Sequence, residues 1–142
     1  MTHKVILATA GLALTLFSFA CSANAQKADQ LYGRWEIVTV AGSSPVTAMS
    51  GAEAGRLVGQ FLVLTPRSVQ FAAESCRPAY EVLKETSAEF FQNYKVDAKT
   101  LNLPDPVTRF DADCTDVFVL VPNEIVFTWK GYFLKAKKAP AK

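Results

Sequence analysis

The sequence predicts a mainly β protein: a single antiparallel barrel or rolled sheet with one or two short helices. Three observations carry that reading. Short apolar runs alternate with turn-forming residues along most of the chain. The last third holds a plain hairpin pattern, Val117 to Val121, then Pro122-Asn123-Glu124, then Ile125 to Trp129. The only stretches with helix-start signals are short ones, around Ser50 and around Ser87.

The first 25 residues stand apart. A basic start (His3, Lys4) precedes an apolar run from Val5 to Ala20, and Ala23-Asn24-Ala25 closes it as an A-x-A site. That is the pattern of a secretory signal peptide cut before Gln26, and it leaves 26–138 as one β-rich domain with a frayed tail at 139–142. The expected compartment is the periplasm or the outside of the cell. Ser18-Phe19-Ala20-Cys21 resembles the lipobox of bacterial lipoproteins, which implies the alternative of a lipid anchor on Cys21.

Gln26 to Leu31 is a polar lead-in. From Tyr32 to Val40, Trp35 and Ile37 fall on one face and Arg34 and Glu36 on the other, as in a half-buried strand. The alternation then blurs, so the second half of this strand is expected to be covered on both sides. Residues 41–50 form a loop, and Ser50 with Glu53 makes a capping box for a short helix stopped by Gly59. Phe61 to Leu64 is a strand, Thr65 to Ser68 a turn, and Val69 and Phe71 carry the next strand. Cys76-Arg77-Pro78 is irregular, Tyr80 to Leu83 a further strand, and Ser87 to Tyr94 a helix capped by Ser87. Pro104 and Pro106 keep 101–106 irregular. After Gly131, Tyr132 to Ala136 continues the preceding strand or begins another, giving about six or seven strands in all.

Composition narrows the chemistry. The chain has 15 Lys and Arg against 13 Asp and Glu, and only Lys4 among these lies in the leader. So balanced a domain has no long-range field to gather nucleic acid. The one histidine, His3, leaves with the leader, which excludes Ser-His-Asp and Cys-His catalysis and His-based metal sites from the exported part. The expectation is a protein that is not an enzyme and carries no metal or cofactor. Asp111, Asp113 and Asp116, with Asp105 nearby, read as a solvated acidic turn rather than a Ca²⁺ loop, lacking the glycine and distal glutamate of an EF-hand. Glu81, Glu85 and Glu89 show no defined separation that would mark glycosidase carboxylates. The lysines from Lys135 onward favour solubility.

Cys76 and Cys114 are the two cysteines of the exported part and are expected to pair, since neither has a C-x-x-C partner or a histidine neighbour. Phe90 and Phe91 are adjacent on a short helix and cannot both turn inward, so this pair marks a candidate partner surface.

Gly33-Arg34-Trp35 at the start of the first strand resembles the G-x-W of lipocalins and related calycin barrels, and Thr115-Asp116 resembles the start of their T-D-Y. The resemblance implies an eight-stranded barrel, closed at one end by Trp35, that holds a small apolar ligand. Trp35, Phe71, Phe118 and Phe127 would line the pocket, and Lys130 or Lys135 would stand in for the family's arginine over the tryptophan. The alternative is a filled core and a protein-binding module, such as an inhibitor of a periplasmic or secreted hydrolase.

Overall fold

Nine antiparallel strands form one curled sheet, a half-barrel, in a computed structural model that describes residues 28–141. The leader with Cys21, and Lys142, lie outside the described residues. In chain order the elements are β1 (Gly33–Ser43), α1 (Gly51–Gly55), β2 (Phe61–Leu64), β3 (Val69–Phe71), β4 (Glu74–Cys76), β5 (Glu81–Glu85), α2 (Ser87–Tyr94), a 3-10 turn (Ala98–Leu101), β6 (Val107–Asp111), β7 (Asp116–Val121), β8 (Glu124–Trp129) and β9 (Tyr132–Lys138). Spatial order is β4-β3-β2-β1-β9-β8-β7-β6-β5. Two meanders therefore meet where β9 returns beside β1, and the sheet's two free edges, β4 and β5, are consecutive in the chain. The link 77–80 crosses the seam between them.

The blurred alternation of the first strand has a physical cause. Its register against β9 shifts between Ile37 and Thr39 and again between Val40 and Gly42. Each bulge inserts a residue and bends the strand, which helps the sheet curl. The phase moves with it, so Val40 packs inward like Trp35 and Ile37, while Val38 is exposed rather than covered on both sides. At Gly42 the outer face must admit the 3-10 turn, because a Cβ there would lie 3.1 Å from Leu101 Cδ2.

Both capping boxes form. Ser50 Oγ accepts from Glu53 N at 3.2 Å, and Glu53 Oε2 accepts from Ser50 N at 2.7 Å. In α2 the cap is Thr86, one residue before the expected Ser87, because the box is Thr86-x-x-Glu89: Glu89 N donates to Thr86 Oγ1 at 3.2 Å. β9 extends to Lys138, and Ala139 N still donates to Arg34 O at 2.8 Å, so ordered pairing runs past the expected Ala136 and into the start of the tail.

Side chains pack on both faces of the sheet. The concave face holds Leu31, Trp35, Ile37, Leu62, Leu64, Phe71, Tyr80, Phe110, Ile125, Phe127, Trp129 and Leu134. The convex face of β6 to β9 is covered by α2 and the 3-10 turn through Phe90, Leu101, Leu103, Val107, Phe118, Val126 and Phe133. β8, beside the central β9, is consequently buried on both sides, with Ile125, Val126 and Phe127 all fully buried.

Candidate functional site

The end of the half-barrel at Trp35 is closed by the chain itself. Trp35 Nε1 donates to Leu31 O at 2.7 Å, and Lys138 Nζ lies 5.2 Å from the indole centroid while donating to Gln30 O at 3.1 Å. The cation over the tryptophan is thus Lys138, not Lys130 or Lys135; Lys130 lies over Trp129 and Lys135 pairs with Glu124.

Three of the four expected lining residues share the concave face. Phe71 stands edge-on to Phe127 at 5.3 Å and to Trp129 at 4.8 Å, with Trp35 in the same cluster. Phe118 does not join them. In β7 it is Val117 and Val119 that turn inward, so strand alternation sends Phe118 to the convex face against Phe90 at 5.3 Å and Tyr94 at 5.6 Å. Among Val69, Phe71, Cys76, Cys114 and Trp129 the free space is ≈ 40 Å³, room for a water and not for a drug-sized molecule. Larger concavities lie at the surface. One of ≈ 450 Å³ is bordered by Pro66, Arg67, Arg77 and Pro78, and one of ≈ 290 Å³ lies between α2 and β5.

Cys76 and Cys114 form a disulfide with Cα atoms 6.3 Å apart. It ties edge strand β4 to the β6–β7 turn, across the seam. Tyr80 fills the seam beside it, its OH donating to Thr65 O at 2.8 Å and its ring against Tyr32 at 5.6 Å. Such a bond fits an oxidising, exported compartment. Among the described residues no helix is long and apolar enough to cross a membrane.

On α2 the two adjacent phenylalanines separate as the 100° step of a helix requires. Phe90 is fully buried, which removes it from the expected partner surface, whereas Phe91 is 52% exposed.

The residues with most chemistry were not brought together by sequence reasoning. Arg109 sits between two carboxylates on the convex face: its Nε is 2.9 Å from Glu85 Oε1, an ion pair not aligned for a hydrogen bond, and its Nη1 is 3.2 Å from Asp116 Oδ1. Tyr94 OH donates to Asp116 Oδ2 at 2.6 Å, and Asn93 Nδ2 donates to Glu85 Oε1 at 3.2 Å. The antiparallel register assembles this cluster, since Leu83 faces Arg109, Glu85 faces Val107, and Asp111 faces Asp116. Burial, then the hydrogen bond to Asp116, push the Tyr94 phenol well above its ordinary value. At the rim, the Thr86 backbone N–H and hydroxyl hold the Glu89 carboxyl below the usual range, so it stays charged.

The acidic run around Cys114 is split by these contacts. Asp116 belongs to Arg109, while Asp111 Oδ1 accepts from Asp113 N at 2.9 Å within its own turn. Among the described residues no three His, Cys, Asp or Glu side chains converge as a metal site would require. Comparison with known proteins adds no relative: no family model, no curated protein and no solved structure matches this chain.

Proposed function

We propose that this protein is a non-catalytic exported binding domain whose partner is another envelope or secreted protein, bound on the outside of the sheet. The observation that carries the reading is the filled concave face. Phe71, Phe127 and Trp129 pack edge to face where an apolar ligand would lie, and the space bordered by Phe71, Trp129 and the disulfide is ≈ 40 Å³. A lipocalin-type ligand needs a pocket of about 300 Å³ or more. The absence of histidine from the sequence after His3 supports the non-catalytic half of the reading.

Titration with a fluorescent fatty acid tests it. We expect no saturable, blue-shifted emission and no stoichiometric quenching of Trp35 and Trp129. One-to-one binding with quenching of both tryptophans would overturn the proposal in favour of an interior ligand.

A further inference from the structure

The free edge at β5 has a recognisable acceptor built beside it. β5 pairs with β6 on one side only, and no backbone hydrogen bond from residues 81–85 reaches any other element among the described residues. Such an edge is a template for an incoming strand. Alongside it lies the ≈ 290 Å³ cleft, walled by Leu83, Lys84 and Glu85 of β5, Arg109 of β6, and Glu89 and Gln92 of α2.

Glu85 makes this cleft selective. Its side chain is only 8% exposed. Oε1 is engaged by Arg109 and Asn93, whereas Oε2 has no donor. A buried carboxylate oxygen without a donor is unfavourable, and an arriving cation would relieve it. The cluster's charges point the same way. Glu85 and Asp116 share the single guanidinium of Arg109, so one negative charge is in excess, and Glu89 adds another at the rim. Lys84 borders the cleft but alternates to the other face of β5 from Leu83 and Glu85.

We propose that this cleft receives an arginine or lysine side chain carried on an extended segment of the partner, which adds to the sheet beside β5. Cross-strand neighbours stand about 5 Å apart at Cβ, so a residue opposite Leu83 or Glu85 projects its side chain over the cleft. The cation then reaches Glu85 Oε2 as the exposed rim side chains yield. An acidic segment would instead meet Glu85 and Glu89, with the Arg109 guanidinium already engaged by Glu85 and Asp116. This inference rests on the protein-binding reading and specifies the partner's chemistry.

The test uses the ¹⁵N-labelled exported protein and the blocked peptide Thr-Val-Arg-Val-Thr, its counterpart with Glu at the centre, and methylguanidinium alone. The arginine peptide should saturably shift and protect the amides of β5 and move the Asn93 side-chain amide. The glutamate peptide should bind at least about tenfold more weakly, and E85Q should weaken the arginine peptide by about tenfold. Gln92→Asp, at an exposed rim position outside the ion pairs, should tighten the arginine peptide even if E85Q perturbs the fold. Silence of the β5 amides, or equal binding of both peptides, would overturn the proposal. Identical shifts from methylguanidinium, with β5 amides unprotected, would overturn strand addition. β5 shifts that depend on protein concentration without peptide would replace the partner by a second copy of this chain. Failure of the peptides while a protein partner is still recovered with the molecule moves the site and spares the protein-binding reading; a stoichiometric small-molecule ligand overturns that reading whatever the peptides do.

Discussion

Phe127→Ala should destabilise the protein by about 4 kcal/mol, read as a lower denaturation midpoint with an unchanged slope. Phe127 is fully buried in the middle of β8, opposite Val117 of β7 and Leu134 of β9, and its ring meets Phe71 at 5.3 Å. Truncation removes a large apolar side chain and leaves a hole that the sheet cannot close, because β8 is also held from the convex side by Val126. The size of the loss discriminates between readings. A phenylalanine lining an open lumen has fewer packed neighbours to lose, so a cost under about 2 kcal/mol would contradict the filled interior.

Replacing both Cys76 and Cys114 by alanine should cost about 4 kcal/mol in the chain-entropy account, for a sequence separation of 38. The structure also says where the loss appears. β4 is three residues long and pairs only with β3, so without the bond it keeps only that pairing, side-chain packing and the exposed Glu74–Lys130 ion pair. Amide exchange should accelerate first in β4, the link 77–80 and the start of β5, while β7 to β9 remain protected. The bond closes the segment 77–113, which should not loosen as a whole. Its C-terminal part is better held, because α2, the 3-10 turn and β6 have a core of their own around Phe90, Leu101 and Val107. Equal acceleration across β7 to β9 would show that the bond supports the entire sheet rather than the seam.

Which elements could be read from the sequence follows from where their signals lie. The closing strands were legible because each is an apolar run bounded by turn residues, and Lys130-Gly131 provides the positive-φ pair of a two-residue hairpin. Gly131 has no tolerated substitute there, since a Cβ would sit 2.4 Å from Val46 O. β4 was illegible for the converse reason: its hairpin turns through Ala72 and Ala73, both at positive φ, and alanine carries no turn signal. β6 was missed because its convex-face residue Arg109 looks like surface in sequence and becomes half-buried only through Glu85 and Asp116. The disulfide was legible once the leader reading set Cys21 aside and left two cysteines without a redox motif. Phe118 needed the parity of β7 relative to its neighbours, which a local pattern does not contain. The Glu85–Arg109–Asp116 cluster comes from three strands joined by register, so no local spacing could reveal it.

The proposed function joins a filled interior to recognition of a protein from outside. Native mass spectrometry of the protein recovered from the cells that export it tests that combination most directly. The expected result is the bare chain, or the chain in complex with a second protein, without a stoichiometric small molecule. A single apolar compound retained one-to-one with the folded chain would contradict it.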